Sequence, residues 1–250
     1  PASDEIVSAK SDSLSNSENI PTDVAADSLQ DSKAGDKQRQ KIKPSYRWSV
    51  GAIFAPEFTS TSFGNYSAPG ASIGLRVGYQ ISNKLNIKTG IIRSTKKYEG
   101  DGYDYSPRNP LYWQIRTNGM IPEEIDGECL VYELPIGVQF DVIQTQKSRV
   151  FVSAAISSYF MVSQSYDYTF GAPNPGADTG WNSSRSETYW FDAGMISAGY
   201  ERYVQRSFAI GIEPYLKASF GEIGWPNVKL VSAGAYVTLR YRFMNQKNIQ

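Results

Sequence analysis

Between Arg47 and Phe243 the sequence contains eight stretches in which apolar and polar residues alternate with period two, although the phase breaks in one of them. Such alternation is typical of β-strands, because successive side chains of a strand point to opposite faces. The connections are alternately long and short: Thr59–Gly70, Glu99–Glu128, Thr169–Arg185 and Gly221–Val228 are long, and Ser82–Lys84, Gln144–Ser148 and Gln205–Ser207 are short. Eight strands with tight turns at one end and longer loops at the other predict an all-β, eight-stranded antiparallel transmembrane β-barrel.

The stretch Leu230–Phe243 shows the two faces most clearly. One face holds Val231, Ala233, Ala235, Val237, Leu239, Tyr241 and Phe243, and the other holds Ser232, Gly234, Tyr236, Thr238, Arg240 and Arg242. Residues 72–81, 130–141 and 208–217 repeat this separation. Each of these stretches therefore presents one apolar and one polar surface, as a barrel wall between two different environments requires.

Alternation alone does not say which face points outward, because a soluble lipocalin-like barrel carries its apolar side chains inside. Two features of the polar face favour a membrane barrel. Its charges are sparse for a surface in water, and its glycines leave room for long side chains inside a narrow, OmpA/OmpX-sized barrel. The charged residues are Arg47, Arg76, Lys88, Glu133, Asp141, Glu213, Lys217, Arg240 and Arg242, and the glycines are Gly51, Gly74, Gly78, Gly90, Gly137, Gly211 and Gly234.

Aromatic residues near the strand ends are the third feature. Membrane barrels carry girdles of aromatic side chains at both lipid–water interfaces. We expect a turn-end girdle of Trp48, Tyr79, Tyr200, Tyr203, Tyr241 and Phe243, and a loop-end girdle of Tyr98, Tyr112, Trp113, Trp181, Tyr189, Trp190 and Trp225. Two strands are less regular: residues 151–161 are apolar or small on both faces, and the phase break at Asp192–Gly194 predicts a β-bulge.

The first 45 residues differ in composition from the rest of the chain. They contain no aromatic residue and are rich in Ser, Asp, Lys and Ala, so they cannot bury enough surface to offset the chain entropy lost on folding. Short turns of such barrels face the periplasm. We therefore expect residues 1–45 to be a disordered periplasmic linker, residues 46–243 to be an outer-membrane barrel, and residues 244–250 to be a short polar tail. Because the chain begins at Pro1, we expect it to derive from a longer protein.

Composition narrows the possible chemistry. The chain has no histidine, which removes the usual general base and the commonest zinc ligand. Its formal net charge of +0 gives no indication of a nucleic-acid surface. We therefore expect no enzymatic activity, no cofactor and no nucleic-acid partner, although a mechanism using carboxylates alone stays open.

The charges on the polar face predict a paired network in the lumen, because buried charges are tolerated when they are paired. The expected members are Arg76, Lys88, Glu133, Asp141, Glu213, Lys217, Arg240 and Arg242. Eight strands leave no aqueous channel once side chains fill the interior. A structural plug is therefore the preferred interpretation, with an open ion or solute path as the alternative.

The longest connection, Glu99–Glu128, combines carboxylates with aromatic residues. Such a loop can remain solvated, bind a hard cation or bind a protein or glycan, but it lacks a recognised calcium-loop spacing. We keep this loop and Thr169–Arg185 as candidate surfaces for a protein partner. Cys129, at the loop–strand junction, is expected to be an inert small residue or a lipid-facing thiol.

Several motifs resemble a known family. The segment Tyr132–Ile136 (YELPI) is similar to the Y-x-E-(I/L)-P-(I/L) neighbourhood of Bacteroidota outer-membrane barrels of the PorT-like type, without the spacer between Tyr and Glu. Ile212–Pro214 with Lys217, and the closing segment Leu239–Phe243, strengthen the resemblance. These motifs imply a fold more specifically than a function.

Within that family, a barrel behind a polar segment resembles the C-terminal part of dual-membrane-spanning anti-sigma factors. Two Asp-Ser-Leu triplets also resemble the Bacteroidota periplasmic O-glycosylation signal, which implies Ser13 and Ser28 as modified residues.

A histidine-free, self-filled barrel behind a long polar segment predicts a non-enzymatic membrane anchor and sensor, in contact with the lipid bilayer, lipopolysaccharide and the outer-membrane assembly machinery. The resemblance implies a role in envelope signalling. Three alternatives stay open: a surface binding or adhesion module, an accessory subunit of an outer-membrane assembly or secretion complex, and a soluble lipocalin-like ligand-binding barrel.

Overall fold

The computed structural model describes residues 46–61, 69–107, 109–224 and 227–244. The strands are β1 (Tyr46–Ser60), β2 (Gly70–Gln80), β3 (Leu85–Gly100), β4 (Glu124–Gln144), β5 (Ser148–Thr169), β6 (Gly180–Ser183), β7 (Glu187–Tyr203), β8 (Phe208–Ser219) and β9 (Val231–Met244). A 3₁₀ turn (Gly102–Asp104) and a short helix α1 (Tyr112–Arg116) lie between β3 and β4. Within the described ranges, no helix is long and apolar enough to cross a bilayer.

Antiparallel pairing closes the strands into a ring. The order runs from β4 through β3, β2, β1, β9, β8 and β7 to β5, and the pairing of β4 with β5 closes it. The four-residue strand β6 pairs with β5 beyond the segment that pairs with β7, so β6 and β7 share one position in the ring. The predicted all-β, eight-stranded antiparallel fold is confirmed, with one strand position divided in two.

An apolar band covers the outward face of the ring. On β4 this face runs from Tyr132 to Val142, which at 3.3 Å per residue and a tilt near 40° spans about 25 Å along the barrel axis. The exposed members of the band include Val50, Phe54, Phe58, Ile73, Leu75, Ile87, Ile91, Leu134, Ile136, Val138, Val152, Ile196, Ile210, Ile212, Leu216, Val237 and Leu239.

Beyond the band, β3 and β4 continue further than predicted, and β5 extends beside them to Thr169. β3 ends at Gly100 and β4 begins at Glu124, so the connection predicted at Glu99–Glu128 is reduced to residues 101–123. We refer to residues 96–130 and 163–183 as the loop-end head. In this head the outward residues of β4 are charged and its inward residues are apolar or small, which is the reverse of the band.

Bulges in β7 and β1 change the direction of side chains. In β7, Tyr189 lies opposite Tyr159 and Ala193 lies opposite Ser157, so residues 190–192 form the bulge predicted nearby at Asp192–Gly194. In β1, an irregularity between Tyr46 and Ser49 turns Tyr46 inward and Arg47 outward. Arg47 therefore does not join the lumen, although its phase in the sequence predicted that it would.

Candidate functional site

The middle of the lumen is organised around the carboxylate of Glu213 on β8. Its oxygens lie 2.7 Å from Nη1 of Arg76 and 2.9 Å from Nζ of Lys88. The hydroxyls of Ser153 and Ser197 donate hydrogen bonds to the same carboxylate at 2.9 and 2.7 Å. Because each acceptor oxygen has a cationic partner, Glu213 is fully paired within the interior.

Toward the loop end, Glu57 and Glu133 share the ammonium of Lys217. Its Nζ lies 3.4 Å from Glu57 and 2.7 Å from Glu133. Glu57 also pairs with Lys96 and accepts a 2.6 Å hydrogen bond from the Tyr215 hydroxyl. All five side chains are buried, so this cluster fills the cross-section beneath the loop-end head.

Toward the turn end, Arg149 joins strands across the lumen. Its guanidinium lies 3.1 Å from Asp141 and 3.0 Å from Glu201, and it donates a 3.1 Å hydrogen bond to the Tyr46 hydroxyl. Glu201 continues the chain of charges to Arg240, whose Nε is 3.2 Å away. Arg149 is 0% exposed, so its ion pairs are shielded from water.

Arg242 closes the turn end of the lumen. Its guanidinium carbon lies 4.0 Å from the ring centroid of Tyr203 and 5.2 Å from that of Tyr46. Its Nη2 donates to the carbonyl oxygen of Arg206 at 2.7 Å. The arginine thus ties the β7–β8 turn to the start of β1.

The structure places every residue of the expected lumen network in the interior, distributed over these clusters. Sequence reasoning missed four further members: Glu57, Lys96, Arg149 and Glu201. Each shares its phase with an inward neighbour, so extending the alternation towards the strand ends would have found them. They were missed because they lie near loops, turns or an irregular strand, where strand boundaries are least certain from sequence.

The loop-end head has an apolar, aromatic core, which continues into the adjoining parts of β4, β5 and β7 and into the β8–β9 connection. The buried cluster comprises Tyr98, Tyr105, Ile125, Cys129, Val131, Tyr159, Met161, Tyr166, Tyr168, Ala193, Ile223, Val228 and Leu230, with Trp113, Phe170, Trp181 and Tyr189 packed against it. Hydroxyl pairs connect Tyr98 with Tyr166 at 3.1 Å and Tyr112 with Tyr168 at 2.8 Å. Burial raises the pKa of Tyr105 well above its usual value, so this phenol stays neutral in the core.

The prediction of a loop-end girdle is wrong for most of its residues, because they belong to this core or pack against it. Tyr98 and Tyr112 are buried in or against the head, and Trp113, Trp181 and Tyr189 pack there too. Tyr98 lies at an inward position of β3, whereas Tyr112 and Trp113 belong to α1 and pack against the core from the connection. Trp190 points outward from the β7 bulge and is 67% exposed, and Trp225 lies outside the described residues.

The turn-end girdle is largely where it was expected. Trp48, Tyr200, Tyr241 and Phe243 are exposed, and the rings of Trp48 and Tyr79 lie 4.8 Å apart. Tyr203 is the exception, because it turns inward against Arg242. Cys129 is 1% exposed within the head core, so it is not a lipid-facing thiol.

The outer surface of the head carries carboxylates and a few apolar side chains. Oxygens of Glu99, Glu124 and Asp126 lie within 4.8 Å of one another, and all three side chains are exposed. The backbone N–H of Ile115 in α1 donates to the carbonyl oxygen of Leu111, the residue directly before α1, and the two side chains are 66% and 55% exposed. The next residue, Arg116, forms a 2.9 Å ion pair with Asp178, and this hydrogen bond raises the arginine pKa.

The predicted Ser13 and Ser28 modification sites, the linker 1–45 and the end of the C-terminal tail lie outside the described residues.

No protein-family model and no curated protein matches this chain. Among solved structures, Neisserial surface protein A has 18% identity and a TM-score of 0.48, covering 78% of this chain and 97% of that chain. The Yersinia pestis attachment invasion locus protein Ail, in complex with the heparin analogue sucrose octasulfate, has 12% identity and a TM-score of 0.42, covering 79% and 100%. The N-terminal β-barrel domain of Pseudomonas aeruginosa OprF has 13% identity and a TM-score of 0.36, covering 77% and 97%. At these identities the likeness concerns the fold alone.

Proposed function

We propose that the protein is a non-enzymatic barrel of a bacterial outer membrane, which anchors its N-terminal segment and holds the loop-end head above the lipid surface. The observation that carries this proposal is the apolar band around an ion-paired lumen. A soluble monomer rarely exposes an apolar patch larger than a few hundred Å². The band here continues around the ring, and Ile73 and Leu75 on β2 are each more than half exposed. Bilayer hydrocarbon would cover this surface.

The filled lumen supports an anchoring role over a transport role. Three ion-paired clusters occupy the interior from the turn end to the base of the head. The aromatic core of the head lies beyond them. A solute path would require breaking several buried ion pairs, and each such break is costly.

The N-terminal segment, residues 1–45, indicates a more specific role for this anchor. β1 begins at Tyr46 at the turn end, so residues 1–45 join the barrel there, and short turns of such barrels face the periplasm. We assign residues 1–45 as a periplasmic linker, 46–243 as the membrane barrel and 244–250 as a short tail. With the PorT-like resemblance, this favours the barrel of an anti-sigma-type envelope sensor, with Ser13 and Ser28 as glycosylation sites.

Topology can be tested by labelling cysteines with a membrane-impermeant maleimide in intact cells. The variants are Gln114→Cys on the exposed face of α1 and Ser17→Cys in the N-terminal segment, each with Cys129→Ala. The proposal predicts that Gln114→Cys reacts in intact cells, whereas Ser17→Cys reacts only after the outer membrane is permeabilised. Labelling of Ser17→Cys in intact cells would contradict the periplasmic location of residues 1–45. Release of the protein by alkaline carbonate without detergent would contradict the membrane assignment.

A surface binding module is the second candidate, favoured by the ordered head. Ile115 in α1 and Leu111 directly before it are exposed apolar residues, and Tyr103 in the preceding 3₁₀ turn is 79% exposed. If regions 99–128 and 169–185 recruit a protein, glycan, lipopolysaccharide or assembly-complex subunit, the double variant Leu111→Asp and Ile115→Asp should lose a partner that co-purifies in mild detergent. Gln114→Asp on the same helix is the matched control, and equal recovery with both variants would exclude this face.

A further inference from the structure

The turn end of the barrel exposes cations and buries its carboxylates. Among the described residues at this end, the exposed charged side chains are Arg47, Lys84, Lys147, Arg202 and Arg206. The carboxylates of the same region, Asp141 and Glu201, are buried against Arg149. We refer to the exposed cations as the turn-end collar.

The opposite end has the opposite sign. Exposed carboxylates in the described part of the loop end are Glu99, Asp101, Asp104, Glu123, Glu124, Asp126, Glu128, Asp167, Asp178 and Glu222, and the exposed cations there are Arg93, Lys97, Arg116, Arg185 and Lys229. The chain has a formal net charge of +0, so this separation is invisible in the composition. It arises because the fold assigns the two signs to different ends.

The collar lies where the apolar band ends. Arg47 directly precedes the exposed Trp48 of the turn-end girdle, and Lys84 places its Nζ 5.8 Å from the ring centroid of Phe140. Arg202 and Arg206 lie on either side of Val204, which is 59% exposed. Long basic side chains beside interfacial aromatic residues reach the depth of lipid headgroups.

The collar is also distributed around the rim. Its members come from the start of β1, the β2–β3 turn, the β4–β5 turn, the end of β7 and the β7–β8 turn. A single small anion contacts one such position, whereas a layer of phosphates contacts all of them. We propose that the turn-end collar binds the anionic headgroup phosphates of phospholipids in the leaflet that faces the short turns. This inference rests on the proposed membrane location and adds a lipid class to it.

The proposal can be tested with the full chain in phosphatidylcholine vesicles that contain either brominated phosphatidylglycerol or brominated phosphatidylcholine. Bromine quenches tryptophan fluorescence on contact, and Trp48 lies beside the collar. A cation near an anionic surface contributes roughly a fivefold preference. We expect wild type to enrich the anionic lipid at least about threefold, and 1 M salt to reduce this preference.

A variant with several substitutions in the collar is compared with a control variant that has several substitutions at the loop end. Changing Arg47, Lys84, Lys147, Arg202 and Arg206 to Gln should bring the two lipids to parity. Changing Glu99 and Glu124 to Gln and Asp126 to Asn at the loop end should leave the preference intact. Trp48→Phe should remove most of the difference between the lipids. An unchanged circular-dichroism spectrum and equal quenching by brominated phosphatidylcholine verify that each variant folds and inserts.

Equal quenching of wild type by both lipids would overturn the collar proposal. The same result is expected if the acidic residues of the N-terminal segment, and not lipid, occupy the collar. Retention of the preference in the collar variant would overturn it as well. A protein that neither brominated lipid quenches is not in the bilayer, and that outcome would instead refute the proposed membrane function.

Discussion

The apolar band and the loop-end head are built by the same strands, yet they place polar and apolar residues on opposite sides. Along β4 the inward positions change from Ile125 and Cys129 in the head to Glu133 and Asp141 in the band, without a change of phase. The outward positions change in the opposite sense, from charged residues to residues such as Leu134. One continuous strand can therefore pass between two solvents by exchanging which face is apolar.

The two regions also hold together by different interactions. The band surrounds buried ion pairs, for which the loss of one partner is costly and the intact pair contributes little. The head surrounds packed aromatic rings, where buried apolar area is the main stabilising term. Substitutions of the same chemical type should therefore have unequal effects in the two regions.

The largest effect is expected from breaking the lumen network at Arg149. Arg149→Met leaves Asp141 and Glu201 buried with unbalanced charge, which should lower the free energy of unfolding by about 3–5 kcal/mol. Urea unfolding in lipid vesicles measures this change. Arg149→Lys keeps the charge and should be milder. A loss below about 1 kcal/mol for the Met variant would show that water reaches these carboxylates.

The next largest effect is expected from placing a charge on the outward face of β4, and it should differ between the band and the head. Ile136→Arg near the middle of the band should cost about 2–4 kcal/mol in vesicles, because it places a charge in hydrocarbon. Glu128→Arg on the same strand in the head should change stability by less than about 0.5 kcal/mol, because that position faces water. Similar costs for both variants would remove the distinction between the two regions.

A smaller effect is expected inside the head. Tyr98→Phe removes the hydroxyl that lies 3.1 Å from the Tyr166 hydroxyl and leaves the ring in place. The expected loss is about 1 kcal/mol. Hydrogen exchange of head amides should detect it as faster local opening, with little change in the band. Faster exchange throughout the barrel would mean that head and band unfold as one unit.

The smallest effect concerns the head surface. Lys97 and Glu128 form an exposed ion pair at 3.5 Å. Lys97→Ala should change the free energy of unfolding by less than about 0.5 kcal/mol, since exposed pairs contribute little. Chemical denaturation at low and high salt measures this change, which can then be compared with the change caused by Arg149→Met. A large, salt-sensitive loss would show that the head depends on surface charge more than on its aromatic core.

The sequence was sufficient for the band because alternation of residues such as Val77 and Leu134 with polar neighbours is a local signal. It was sufficient for the centres of the lumen clusters, Glu213 and Lys217, for the same reason. It did not reveal the head, because the pattern at Tyr98 and Tyr112 is compatible both with aromatic residues at the lipid interface and with residues of a buried core. Only the extension of β3 and β4 beyond the band separates these interpretations.

Arg47 and Arg149 show the same limit at the turn end. A bulge that the sequence does not mark turns Arg47 outward. Arg149 lies one residue inside its strand, where a small error in the boundary assigns it to the turn. Long-range pairing across the ring decides the direction of Arg47, and a local pattern carries no information about that pairing. Arg149 is in phase with Phe151, so only the position of the strand start was needed to place it inward.

The most direct test of the account compares two spin labels on β4, one at Ile136 in the band and one at Asp126 in the head, each with Cys129→Ala. In vesicles, the label at Ile136 should collide with dissolved oxygen and be protected from a water-soluble nickel chelate, whereas the label at Asp126 should show the reverse. Strong collision of the nickel chelate with the label at Ile136 in folded protein would contradict the claim that the two regions face different solvents.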